Sequence, residues 1–148
     1  MMRIGIPKEK NKNETRVALV PVSIPKLAKL GFDVVIEKGA GENSGYSDSE
    51  YEKKGAKISN LKDVMSSELV ASIDIPDIKM MKKGQLLACM ADPFRKLKET
   101  KEIIDAGITL LSLEVIPRRL SKGQSMDVNS SQDNLSGYRA ALMGSQHI

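Results

Sequence analysis

Short apolar runs alternate with amphipathic stretches along this chain. Residues 3–6, 34–36, 69–73, 86–89 and 109–113 are aliphatic-rich and bounded by Gly, Pro or charged residues, which predicts strands. Between them, 23–30, 48–54, 61–67, 78–82 and 96–106 carry the spacing of helices with one apolar face. Ser47 stands three residues before Glu50, the spacing of a capping box. Gly31, Gly55 and Gly107 each follow a predicted helix, where a left-handed residue would close it. Strands alternating with short helices predict an α/β fold: a doubly wound, flavodoxin- or Rossmann-like parallel sheet with helices on both faces. Residues 1–129 are expected to form this domain. Residues 130–148 read as the start of a further helix, beginning near Ser130 or Ser131, with Leu135, Tyr138, Ala141 and Leu142 on its apolar side.

Composition narrows the class. A chain of 148 residues with 41% hydrophobic and 28% charged residues can bury a core without metal or disulfide support. Aromatic residues are scarce at 3%, and eight methionines are available to fill core positions instead. The net charge of +4 raises nucleic acid as a partner. Its layout argues against one, because Lys and Arg alternate with Asp and Glu, as in Lys98-Glu99-Thr100-Lys101-Glu102, and no aromatic is interleaved with a basic cluster. The single Cys89, inside an apolar run, is expected to be buried and structural. No run approaches the length of a membrane helix and the N-terminus has no signal-peptide core, so a cytoplasmic chain without direct membrane insertion is expected.

Candidate chemistry gathers late in the chain. Arg119, Gln124 and Asp127 lie in a polar turn that leads into the final helix. Arg119 supplies a cation, Gln124 both donates and accepts, and an ionised Asp127 only accepts. That set suits a polar cofactor or substrate head, and Ser130 and Ser131 add N-cap hydroxyls. The same residues also suit a solvated loop with an ordinary helix cap. Arg16 follows the first strand on the edge where open α/β sheets collect ligands, and it either forks onto a carboxylate or amide of a ligand or pairs with Glu14 or Glu9. Gly39-Ala-Gly41-Glu-Asn-Ser-Gly45 is one residue too long for a dinucleotide fingerprint and places Glu42 against the phosphates, so it reads as a tight exit turn. The lone His147 is expected to be frayed, leaving no nucleophile pair or metal site built on histidine.

Taken together, Arg3-Ile-Gly-Ile-Pro-Lys-Glu9, Arg16-Val-Ala-Leu19, Glu37-Lys-Gly-Ala-Gly41, Gln124-Ser-Met-Asp127, Ser130-Ser-Gln and Asn134-Leu-Ser-Gly-Tyr138-Arg139 resemble the alanine dehydrogenase/pyridine nucleotide transhydrogenase family. The last two motifs resemble its transhydrogenase branch, the alpha subunit of proton-translocating NAD(P) transhydrogenase. The resemblance runs over essentially the whole chain. It implies an NAD(H)-binding component of two α/β domains, usually dimeric, that passes a hydride to NADP(H) held by another component while a membrane part moves protons. It implies that Arg119, Gln124 and Asp127 lie beside the nicotinamide, with Arg16, Ser130 and Tyr138 lining the same cleft, and that no metal takes part. The expected partners are an NAD-binding domain, other transhydrogenase subunits and a second copy of the chain.

Departures from the family shape the expectation. The alanine dehydrogenase branch carries a Lys after its fourth strand and a His after its fifth. Ser72 and Met90 occupy those positions here, so amino-acid oxidation has little support. Arg118-Arg119 holds one residue more than the family's Pro-Arg spacing, and Arg119 is chosen by counting back from Gln124. The Rossmann domain with its G-x-G-x-x-G turn does not follow within these residues, so the chain is expected to be truncated before it and inactive alone. The alternative is a non-catalytic truncated homologue that serves as a binding or oligomerisation module.

Overall fold

The computed structural model describes residues 2–119 and 121–146. Six strands, β1 (Met2–Ile6), β2 (Phe32–Glu37), β3 (Lys57–Ser59), β4 (Leu69–Ala71), β5 (Leu86–Cys89) and β6 (Thr109–Ser112), form one sheet in the order β3-β2-β1-β4-β5-β6. The pairs β1–β2, β1–β4, β2–β3 and β4–β5 are parallel. Helices α1 (Ile24–Lys29), α2 (Asp48–Lys53), α3 (Leu61–Met65) and α4 (Leu97–Asp105) connect them, followed by α5 (Ser121–Gln124) and α6 (Val128–Ser145). The expected doubly wound parallel α/β sheet is present. The strand order reverses between β1 and β4, which is where such sheets open a ligand crevice.

Alternation along β1 explains the two cores. Ile4 and Ile6 join Val34, Ile36, Ile24 and Tyr51 on one face of the sheet. Gly5, between them, points to the other face and stands in register with Val35 and Val70. There Val70, Leu87 and Cys89 pack with Met65, Ile103 and Ile108. Cys89 is fully buried, and Met65 and Met81 take core positions, as the scarcity of aromatics suggested. Gln85 is buried among these residues. Its amide donates to the carbonyls of Met65 (2.9 Å) and Ser67 (2.5 Å), and its Oε1 accepts from the Lys82 N–H. It thereby satisfies backbone groups left over where α3 ends.

The local signals behave as their chemistry requires. The Ser47–Glu50 capping box opens α2, and Gly31, Gly55 and Gly107 stand at φ +85°, +95° and +70°. Four expectations need correction. Strand β3 was not anticipated, because Lys57-Ile58-Ser59 offers one apolar residue and is held by pairing with β2. The strand expected over 69–73 ends at Ala71, and the chain bends at Ile73 and Asp74. The helix expected over 78–82 is a single 3-10 turn, Ile78–Met80, after which Met81 is extended. The last helix begins at Val128 rather than near Ser130, because Asp127 caps it.

The chain divides into two compact units, Met1–Leu111 and Ser112–Ile148. The first unit holds the sheet apart from the last residue of β6. In the second, α6 has no buried residue, and Leu135, Tyr138 and Leu142 are exposed. His147 lies outside the described residues. Among those described, no helix is long and apolar enough to cross a membrane.

Candidate functional site

At the strand-order reversal, β1 runs out into Pro7-Lys8-Glu9 and β4 into Ser72-Ile73-Asp74. The Glu9 carboxylate spans the gap, accepting from the Ile73 N–H at 2.7 Å and the Asp74 N–H at 3.1 Å. Burial pushes the Glu9 carboxyl above its ordinary value, although both N–H groups pull the other way. Ser72 is buried, and its hydroxyl donates to the Asp74 carbonyl at 2.6 Å. A cleft of about 250 Å³ opens beside these residues, walled by Pro7, Leu61, Met65, Ser72, Ile75 and Pro76. A shallower groove of about 400 Å³ runs from Lys10 and Asp77 toward Lys96 and Glu99.

Arg16, on the loop after β1, is forked onto Glu14. Its Nε donates to Oε1 at 2.8 Å and its Nη2 to Oε2 at 2.6 Å. The guanidinium holds the Glu14 carboxyl below its ordinary value, and Glu14 in turn raises Arg16. Of the partners the sequence offered, Glu14 is the one that takes the fork. Ser72 directly follows β4 and Met90 directly follows β5, and neither carries an amine or imidazole there.

The second unit builds the polar turn. Gly123 in α5 lies against the carbonyl of Pro117, so closely that a Cβ there would stand 2.1 Å from the oxygen. This close approach seats α5 and with it the exposed Gln124, whose carbonyl accepts from the Asp127 N–H at 3.4 Å. Asp127 is the N-cap of α6. Its carboxylate accepts from the Ser130 N–H at 3.0 Å and the Ser130 hydroxyl at 2.5 Å. The guanidinium of Arg118 faces it, with Nε 3.6 Å from Oδ2. The Ser130 groups foremost, and Arg118 as a nearby cation, hold the Asp127 carboxyl below its ordinary value. Asn129 fixes the start of α6 from the other side by donating to the Glu114 carbonyl at 3.0 Å.

The structure therefore brings Gln124, Asp127 and Ser130 into one hydrogen-bonded turn. Arg119 is exposed beside it, and Tyr138 is exposed on α6, about 12 Å beyond Ser130 at the rise of an α-helix. Sequence reasoning passed over Arg118 in favour of Arg119 and offered Glu9 only as a partner for Arg16. The Asp127-x-x-Ser130 spacing was a signal for the cap. Nothing local signalled the bonds Glu9 makes, whose partners lie 64 and 65 residues away. Among the described residues no group of three or more His, Cys, Asp or Glu could hold a metal ion.

An open parallel sheet reversing at β1/β4, with a polar turn capping a helix after the last strand, defines an α/β domain of the doubly wound, Rossmann-like class. The chain belongs to the alanine dehydrogenase/PNT N-terminal domain family, which residues 5–136 match. It is 33% identical over 144 residues to the NAD(P) transhydrogenase subunit alpha of Haemophilus influenzae, covering 95% of this chain and 28% of that protein. It is 30% identical over 152 residues to the alanine dehydrogenase of Geobacillus stearothermophilus, covering 99% of this chain and 40% of that one. Among solved structures, the transhydrogenase from Sinorhizobium meliloti superposes with a TM-score of 0.90 at 38% identity, covering 95% of this chain and 43% of the other. The chain thus spans less than half the length of these relatives.

Proposed function

We infer that this chain acts as the N-terminal domain of an NAD(P) transhydrogenase alpha subunit and positions the nicotinamide of NAD(H) for hydride exchange with NADP(H) held elsewhere in the assembly. The observation that carries this reading is the preformed turn in which Asp127, fixed as the cap of α6, meets Arg118 and Ser130 beside Gln124. A nicotinamide carboxamide needs an acceptor for its amide and a donor for its carbonyl. Gln124 supplies both, Asp127 adds an acceptor, and Arg118 and Arg119 add cations. The residues present therefore fit the reactive end of the cofactor, with Ser130 and Tyr138 as further contacts.

They do not fit its phosphates. The turn after β1 presents Pro7-Lys8 and the Glu9 carboxylate, where a phosphate cradle would need glycines and unoccupied N–H groups. The pyrophosphate and adenosine belong, in this reading, to a separate dinucleotide-binding domain, and the domain is inactive without it. Nicotinamide, when bound, supplies the carbon that gives or takes the hydride. The chain's own residues orient the ring and transfer no proton, because hydride exchange between two nicotinamides needs none. Ser72 speaks against amino-acid oxidation: its hydroxyl is spent on the Asp74 carbonyl, and no amine stands there to polarise an oxo acid. The working assembly also includes other transhydrogenase subunits and a second copy of the chain, with this domain on the cytoplasmic side, peripheral to the membrane.

Titration of the purified chain with NADH, followed by nicotinamide fluorescence, tests the proposal; the absence of Trp keeps that signal clear. The expected result is no saturable binding alone and saturable binding once a Rossmann-type dinucleotide-binding domain is added. Micromolar binding by the chain alone would overturn the division of the site. No binding in either arm would leave a non-catalytic binding module.

A further inference from the structure

We propose that Glu9 is a proton-controlled clasp on the cleft at the β1/β4 reversal, holding the Ser72–Asp74 turn by two backbone N–H groups when ionised and releasing part of that grip when protonated. The geometry carries this. Each carboxylate oxygen takes one N–H, at 2.7 and 3.1 Å, so the clasp needs two acceptors. A protonated carboxyl keeps one good acceptor, and its O–H needs an acceptor of its own. One of the two N–H bonds is then lost or weakened.

The clasped turn is also the cleft wall. Ser72 closes it internally through its bond to the Asp74 carbonyl, and Ile75, Pro76 and Asp77 continue directly into the lining. Loosening the turn at Ile73 and Asp74 therefore changes the width of the space between β1 and β4. Among the described residues, the side-chain hydrogen bonds that reach this turn from the β1 exit loop are those of Glu9.

The surroundings move the switch above the ordinary glutamate value. Burial is the largest influence on Glu9, and the carboxylates of Asp74 and Glu14 add to it. Asp74 comes from the β4 exit and Glu14 from the loop after β1, where Arg16 also lies. Across the cleft stand Glu37 and Asp77, with Lys8 and Lys10 flanking Glu9 in sequence. The Lys8 ammonium lies 3.5 Å from Glu42 and that of Lys10 lies 3.9 Å from Asp77, so both cations are directed to other acids. This proposal does not depend on the hydride-transfer reading, and its test needs no cofactor.

The test is two-dimensional amide NMR of the full chain from about pH 4 to about pH 8, a range spanning the ordinary carboxylate value and well above it. The Ile73 and Asp74 amide shifts are expected to move together, with one midpoint above the ordinary glutamate value. Their hydrogen-exchange protection, corrected for intrinsic pH dependence, is expected to fall about tenfold on the acid side, the order of one hydrogen bond to a charged group. Glu9→Gln should abolish both effects. If that variant does not fold, the carboxyl carbon of Glu9 in the wild-type chain can be titrated directly, and its midpoint must coincide with that of the two amides. Amides that do not titrate, that titrate in Glu9→Gln as well, or that follow a different midpoint would overturn the proposal.

Discussion

Gly5 in β1 lies directly beneath the carbonyl of Val64 in α3: a Cβ at position 5 would stand 2.2 Å from that oxygen and 2.8 Å from the Ser67 hydroxyl. The helix thus rests on the strand's backbone, at the point where β1 pairs with both β2 and β4. The same contact helps define the crevice, since α3 contributes Leu61 and Met65 to the cleft beside Glu9.

Gly5→Ala is therefore expected to be severe. The methyl group meets backbone rather than a movable side-chain tip, so α3 must shift as a body. Overpacking of this kind costs about 1–3 kcal/mol and occasionally more, and the upper end is expected here. Urea unfolding followed by circular dichroism measures it. A loss below about 1 kcal/mol would mean that α3 yields easily.

Gln85 offers a contrasting test, because its value lies in hydrogen bonds rather than shape. Gln85→Met preserves the length of the side chain but strands the Met65 and Ser67 carbonyls in a buried setting and the Lys82 N–H in a partly buried one. Each unsatisfied buried group costs about 1–3 kcal/mol. A total of about 3 kcal/mol is expected, on the assumption that the helix end relaxes enough to wet one of them. A variant as stable as the parent would show that water already serves those groups.

Much of this fold was legible because its signals are local. The Ser47–Glu50 box and the glycines at 31, 55 and 107 act within a few residues of themselves, and five of the six strands announce themselves as aliphatic runs. Strand β3 does not, since its existence depends on β2 offering an edge. At the candidate site, Gln124 and Asp127 stood out by residue type, but their arrangement did not. Counting back from Gln124 selects Arg119, whereas folding turns Arg118 toward Asp127. The bonds Glu9 makes were beyond reach for the same reason as β3: its partners are backbone groups distant in sequence.

Asp127 should make the start of α6 sensitive to acid. Its folded value lies below the ordinary aspartate value of 3.8, so its contribution is present above that value and is lost as pH falls through the lower folded one. Asp127→Asn retains a capping oxygen for the Ser130 N–H and should keep the helix start while losing the attraction to Arg118. Asp127→Ala should fray the first turn at all pH values. Hydrogen exchange at Ser130 and Ser131 distinguishes these outcomes, and equal protection in parent and Ala variant would refute the cap.

Tyr51 provides the alkaline counterpart. The ring is fully buried, its edge meets Tyr46 with centroids 6.4 Å apart, and its hydroxyl donates to the Leu19 carbonyl at 2.9 Å. Burial first, then the negative charge that Tyr46, Glu50 and Asp48 can carry, pushes the phenol up to about 12. A raised value means that the fold favours the protonated form. Tyr51's contribution is therefore complete below the ordinary tyrosine value of about 10 and declines as pH climbs from there toward 12. Ultraviolet titration of the three tyrosines should show a late step, and Tyr51→Phe should remove it. The same variant should lose about 1 kcal/mol at neutral pH, because the Leu19 carbonyl is left without its donor. If the late step survives in Tyr51→Phe, the hydroxyl is more accessible than its place against Leu19 implies.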